Sequence, residues 1–153
     1  MKSLGNPDDV GALRRRLQLV RADSPRRWGR MTAPQMLCHL HDAFVMGTPA
    51  QPVSDVAHLG NRTIVKWIAL YGPLRWPRGV ATRPEIDQVA GGGRPPTAFD
   101  RDLAALLAAL DAAATEERFF HGRSHPIFGA LSRDAWLRWG WLHVDHHLRQ
   151  FGA

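Results

Sequence analysis

Residues 132–150 read Ser132-Arg133-Asp134-Ala135-Trp136-Leu137-Arg138-Trp139-Gly140-Trp141-Leu142-His143-Val144-Asp145-His146-His147-Leu148-Arg149-Gln150, a stretch without proline and with one internal glycine. Ser132 is suited to an N-cap, because its hydroxyl can accept from the orphan amides of a first helical turn. The spacing predicts a helix running through Ala135, Trp136 and Leu142 to about Gln150. On a wheel of about 100° per residue, Trp136, Gly140, Val144 and Phe151 share one stripe, while Arg138, Asp145 and Arg149 fall on the opposite side, where solvent is expected. His143 and His147 are about 40° apart and lie on the first stripe. Two imidazoles therefore point inward.

Histidines one turn apart on an inward face can chelate one metal ion. With eight histidines in the chain, an i,i+4 pair also arises by chance, and the alternative is two hydrogen-bonded core histidines. A second such pair, His121 and His125, lies among Gly122, Ser124 and Pro126, a loop composition to which the helical argument does not apply. A catalytic site needs a third ligand and an open coordination position. His39 and His41 are the candidates; being two residues apart, they cannot both face one point. His39 falls beside Met36, Ala43 and Met46, and His41 beside Leu37 and Val45, so periodicity leaves the choice open.

Working outward, Phe99 to Thr115 carries Leu103, Leu106, Leu107 and Leu110 in an alanine-rich background of high helix propensity. A helix from about Asp8 to Asp23 has Pro7 and two aspartates at its start, an apolar stripe of Val10, Leu13, Leu17 and Val20, and Ser24-Pro25 as its stop. Another follows the N-cap Thr32 with Ala33-Pro34, carries Met36, Leu37, Leu40 and Phe44, and stops at Gly47 and Pro49. Asn61 to Tyr71 reads as a short apolar helix ended by Gly72-Pro73, though a buried strand has the same appearance over so few residues. Between Trp76 and Pro96 the glycines and prolines leave no period, which is the pattern of a functional lid or of a disordered segment. No segment alternates with the period of a sheet strand. The expected fold is all-α, a four-helix bundle with an extra short helix and a long Gly/Pro-rich loop.

The chain has 153 residues, 44% hydrophobic and 22% charged, which suits one domain over residues 1–153. A single cysteine, Cys38, allows no intramolecular disulfide and no four-thiolate zinc site, so a reducing, cytoplasmic setting is expected. No apolar run approaches the roughly 20 residues of a membrane span; Ile64 to Leu70 is interrupted by Lys66. The N-terminal residues lack the apolar stretch of a secretory signal, and export is not expected. The net charge of +6 invites a nucleic-acid partner, but the arginines are scattered among acids and no nucleic-acid signature is present. A small-molecule partner, with neither nucleic acid nor membrane, is the expectation.

Two segments carry a resemblance. Trp28-Gly29-Arg30-Met31-Thr32-Ala33-Pro34-Gln35-Met36-Leu37-Cys38-His39-Leu40 is similar to the first signature of a subgroup of the DinB-like (YfiT-like) metalloenzyme family. His125-Pro126-Ile127-Phe128-Gly129-Ala130-Leu131-Ser132, then Trp136 and His143-Val144-Asp145-His146-His147-Leu148-Arg149-Gln150-Phe151-Gly152, resembles its C-terminal pattern. With the helix from Phe99 to Asp111, the similarity covers most of the chain outside the Gly/Pro-rich loop. It implies an up-down-down-up bundle with one divalent metal held by three histidines: His39 matches the second-helix ligand, His143 and His147 the pair on the last helix. His41 has no matching role. The resemblance also implies a homodimer, for which the apolar Ile64 to Tyr71 segment is a candidate interface.

Three neutral imidazoles leave the metal's charge uncompensated, so it should polarise an anionic ligand or a water molecule. Zinc is the first expectation, with nickel or iron as alternatives. A thiol at the open position becomes thiolate, and relatives in the wider superfamily are transferases and isomerases using low-molecular-weight thiols; this implies a thiol-dependent transferase with such a cosubstrate. Water activated in the same way makes a hydrolase. The rival reading is a non-enzymatic bundle that binds a metal or ligand, because no carboxylate can be placed beside the histidines. His146 is about 60° from His147 and is expected to pack beside the ligands; Gln150 can hydrogen-bond a ligand histidine. Gly140 makes room either for a substrate or for a closely packed helix. Trp136 and Trp139 are expected to fill core rather than stack on substrate. Asp42 is expected to be solvated, and Cys38 to lie outside the ligand set.

Overall fold

The computed structural model describes residues 1–153. The first helix, α1, is Pro7–Leu19, and its N-cap is Asn6, whose side chain accepts from the Asp8 amide. It ends earlier than the apolar stripe suggests. Val20 is extended, and the Ser24 hydroxyl accepts from the Arg21 amide, so a turn replaces the last helical residues expected from sequence. Helix α2, Ala33–Val45, begins in a capping box in which Thr32 and Gln35 satisfy each other's backbone amides. A single π-helical turn at Asn61–Val65 runs into α3, Lys66–Tyr71, which Gly72 ends. Helix α4 is Phe99–Thr115, and α5 is Arg133–Gln150 with Ser132 as its N-cap. One element has no counterpart in the sequence reading. Strands β1, Ser124–His125, and β2, Gly129–Ala130, form an antiparallel hairpin too short to show any alternation.

The protein is therefore mostly helical, with five α-helices and a small hairpin. Helix α2 packs against α4 and α5, α1 against α5 and α4, and α3 against α5, which are the pairings of a helical bundle. A core cluster of 26 buried residues lies between them, including Leu13 and Leu17 of α1, Met36, Leu37 and Leu40 of α2, Leu106 and Leu110 of α4, and Val144 and Leu148 of α5. Helix α3 contributes only Leu70 and leaves Ile64, Trp67 and Ile68 beside it exposed. No helix is long and apolar enough to cross a membrane.

The outer face of α5 is less solvated than its composition suggests. Arg138 donates to the carbonyls of Leu70 and Lys2, and Asp145 pairs with Arg16 and Arg149 at 2.8 and 2.9 Å. The N-terminal segment crosses there, with the Leu4 amide bonded to the Leu137 carbonyl. Gly140 serves this crossing: a Cβ at that position would lie 2.7 Å from Leu4 Cδ1 and 3.2 Å from Phe44 Cε1. Of the two roles open to Gly140, the structure places it in close packing and outside the cavity described below. Trp136 is likewise core, stacked on Phe120 with ring centroids 4.7 Å apart.

Asp42, expected in solvent, is 1% exposed. Its carboxylate accepts from Gln88 Nε2 at 2.7 Å and from the Arg94 amide at 2.9 Å. The same Arg94 donates its guanidinium to Asp102 at 2.6 Å, and Asp102 also takes the Thr97 amide and hydroxyl at 2.7 and 2.9 Å. The return from the Gly/Pro-rich loop is thus tied to α2 through Asp42 and to α4 through Asp102. Wheel position misses Asp42 because the loop supplies the polar partners that its burial needs.

Burial by itself raises the Asp102 carboxyl, but the hydrogen bonds from Thr97 and the pairing with Arg94 outweigh it and hold the group below the usual carboxylate range. Its folded pKa is lower than its unfolded one, so its contribution to stability is present above about pH 4 and is lost as pH falls through the folded value. Asp102→Ala is expected to lower the unfolding free energy by about 3–5 kcal/mol at pH 7. Urea unfolding at pH 7 and pH 3 checks both statements: the difference between wild type and variant shrinks at the lower pH.

Candidate metal centre

His39 sits mid-helix on α2 and is 3% exposed; His143 and His147 stand one turn apart on α5. The packing of α2 on α5 brings the three rings together. His39 Nε2 and His143 Nε2 are 3.2 Å apart, and one ring nitrogen from each of the three residues falls within 4.8 Å of the others. His41, the competing candidate, is half-buried beside Asp42 and lies outside the triad. Cys38 is buried elsewhere in the core.

Two of the three rings have their tautomers set by the backbone and by an amide. His39 Nδ1 lies 3.0 Å from the Ile86 carbonyl, which can only accept; the proton is on Nδ1 and a lone pair remains on Nε2. His147 Nδ1 lies 3.0 Å from Gln150 Oε1. Gln150 Nε2 in turn donates to the Trp28 carbonyl at 2.9 Å, which orients the amide so that Oε1 accepts from His147 and leaves His147 Nε2 as a lone pair. Gly29 permits this arrangement. Its φ is +76°, and a Cβ there would stand 2.4 Å from Gln150 Nε2.

All three imidazoles are held neutral. Burial pushes the pKa of His39 below the ordinary imidazole value, although the Ile86 carbonyl opposes this. Burial, reinforced by the neighbouring histidines, takes His143 and His147 well below it. His146, the fourth histidine of the cluster, is pushed down to about 4 by burial and by Arg149. It does not join the triad: its ring packs 4.7 Å from Trp28 and 6.0 Å from Trp76.

This donor set fits a divalent cation. Two imidazole nitrogens on a tetrahedral zinc, each about 2.0–2.1 Å from it, stand roughly 3.3 Å apart. The His39–His143 separation is 3.2 Å. Anchoring of Nδ1 by a carbonyl or an amide is the usual way a ligating imidazole is oriented. The triad could hold a metal ion, and its chemistry does not select which one.

The three rings open on a mainly apolar cavity of about 1010 Å³, also lined by Trp28, Met31, Ile68, Trp76, Val80 and Ile127. The Gly/Pro-rich stretch that reads as lid or disorder forms much of the wall from Trp76 to Val89, and it carries a short 3₁₀ turn at Pro84–Ile86 that presents the Ile86 carbonyl to His39. Trp136 and Gly140, whose alternative readings put them against a substrate, do not line it, whereas His146 and Gln150 do.

Several wall residues escaped the sequence reading. The Ile86 contribution is a carbonyl, for which no side-chain pattern exists. Trp76 sits at the edge of a segment without period, and His125 lies in a loop where helical spacing has no meaning. Trp139 was assigned to core; it is buried, and its ring also lies against both His125 and His143.

Comparison with curated proteins and with solved structures gives no match. A family profile described as "Protein of unknown function (DUF1569)" matches residues 6–153, and the chain accordingly belongs to the DUF1569 family.

Proposed function

We propose that this protein is a divalent-metal-dependent enzyme acting on a small molecule at the His39, His143 and His147 centre, with thiol-dependent transferase or hydrolase chemistry. The observation that carries the reading is the convergence of three neutral imidazoles at the wall of a large apolar cavity, two of them with Nδ1 already committed to a protein acceptor. Histidines that only filled the core would be sealed by packed side chains, whereas these three line a cavity. The resemblance to the DinB-like (YfiT-like) metalloenzymes supports the same reading, and with it an up-down-down-up bundle and a homodimer.

A divalent cation held there, zinc in the first instance, supplies Lewis acidity that lowers the proton affinity of a thiol or a water molecule. The chain's own residues do the rest. Ile86 and Gln150 hold His39 and His147 in register, Trp76 and Trp139 shield the His143 ring from water, and the apolar lining takes the body of the substrate. No carboxylate is hydrogen-bonded to a ring of the triad: Asp42 is committed to Gln88 and Arg94, and Asp87, at the cavity wall, gives Oδ1 to the amides of Val89 and Ala90. The proposed chemistry therefore relies on a nucleophile acidified at the centre.

Elemental analysis of protein purified without an affinity tag is expected to find about one transition-metal ion per chain, and His143→Ala to remove it while a thermal melt shows the chain still folded. A folded wild type that binds no metal when zinc is supplied in excess would sink the proposal. Gln150→Ala frees the His147 ring and is expected to weaken metal affinity about 10–100-fold in competition with a chromophoric chelator. The pH dependence has a definite sign. Protons compete for the ligands only below the folded-state pKa values, which lie under the ordinary imidazole value. Zinc affinity measured by calorimetry should thus stay nearly flat from pH 8 to 6.5, where an unstructured histidine peptide already begins to lose affinity.

A further inference from the structure

We propose that His125 is a substrate-binding residue whose Nε2–H is a fixed hydrogen-bond donor, turned into the cavity, for a carbonyl or carboxylate oxygen of the ligand held beside His143. His125 closes the hairpin: its backbone pairs with Gly129, and its Nδ1 accepts from the amides of Ile127 and Phe128, each at 3.2 Å. A nitrogen that accepts two amide protons carries none of its own. The neutral ring must therefore hold its proton on Nε2.

A half-turn of the ring about Cβ–Cγ would present Cδ2–H to the Ile127 and Phe128 amides and forfeit both hydrogen bonds, which fixes this assignment. It stacks on Phe128 with centroids 4.6 Å apart and planes inclined by 18°, and it abuts Trp136 at 5.4 Å and Trp139 at 5.0 Å. Both hydrogen bonds of the side chain are at Nδ1, and Nε2 is not among the sealed, partnerless polar atoms of the interior. The ring lines the same cavity as the triad, and the Trp139 ring that it abuts lies 4.9 Å, centroid to centroid, from that of His143. One indole thus carries the donor and a member of the triad.

Burial holds His125 down to about 3, so it stays a neutral donor throughout the physiological range. A neutral imidazole donor polarises a carbonyl without giving up its proton, and in apolar surroundings such a bond counts for more than it does in water. The ligand class follows from the lining: an apolar body that carries an acceptor oxygen, set so that this oxygen meets His125 while the reacting atom faces His39, His143 and His147. The proposal rests on the reading of the cavity as the substrate site. It does not require the metal, so its test runs on metal-stripped and zinc-loaded protein alike.

Three probes of similar shape are used: benzoate, acetophenone and ethylbenzene, the last without an acceptor. In ¹⁵N-histidine NMR of the full chain, His125 is expected to show the Nε2–H tautomer from pH 8 to 5. Its Nε2 proton should move downfield with benzoate or acetophenone and stay in place with ethylbenzene. His125→Asn keeps an acceptor for the Ile127 and Phe128 amides but cannot reach the cavity; it should bind the two oxygen-bearing probes about tenfold more weakly and ethylbenzene equally well. His125→Gln puts an amide N–H near the Nε2 position and should recover most of that loss. Should either variant fail to fold, the wild-type tautomer and shift still decide. A proton found on Nδ1, an Nε2–H unmoved at saturation, an equal loss for ethylbenzene, or no binding of benzoate and acetophenone at tens of millimolar overturns the proposal. Failure of the metal reading would appear separately, as absence of bound zinc with these shifts intact.

Discussion

The hydrogen bond from His39 Nδ1 to the Ile86 carbonyl, 3.0 Å long and buried, ties α2 to the loop that walls the cavity beside the triad. It places the proton on Nδ1 and so leaves a lone pair on Nε2, 3.2 Å from His143 Nε2. It also fixes the loop that walls the cavity, since Ile86 lies in the short turn from which the rest of that wall extends. Without a partner on Nδ1 the His39 ring would be free to rotate in its pocket, and with it the direction of the lone pair.

That loop is held from its other end by Arg94. One residue supplies an amide to Asp42 on α2 and a guanidinium to Asp102 on α4, so two buried carboxylates are satisfied by the same short stretch of backbone. Buried carboxylates need such pairing to be tolerated at all. The consequence for the site is that a segment of low intrinsic order becomes a wall of definite shape, anchored on both sides of Gly91-Gly92-Gly93. The hairpin does the same on the opposite side, where the His125 ring closes its own turn and leaves one N–H over for the cavity.

The bundle was legible because its signals are local. Thr32 and Ser132 cap the helices that sequence assigns to them, and α4 covers the predicted span. Inward facing of His143 and His147 follows from a 3.6-residue period, which needs no knowledge of neighbours. Where the reading departed from the structure, a contact invisible to helical periodicity had intervened. Ser24 stops α1 early by capping Arg21; Asp42 is buried because Gln88 and Arg94 meet it; Arg138 is occupied because Lys2 and Leu70 offer carbonyls. Gly140 could have served a ligand or a crossing chain, and only the position of Leu4 decides between them.

The amino-acid sequence by itself determined the helical architecture, the paired imidazoles on the last helix and the absence of any helix fit to span a membrane, since each depends on composition or on spacing along a few turns. Tertiary structure alone decided the geometric choice between His39 and His41, the cavity beside the triad, the tautomers set by Ile86 and Gln150, and the orientation of His125. These depend on contacts between residues far apart in the chain, in two cases on a backbone carbonyl, and a carbonyl is the same at every position until folding gives it a neighbour.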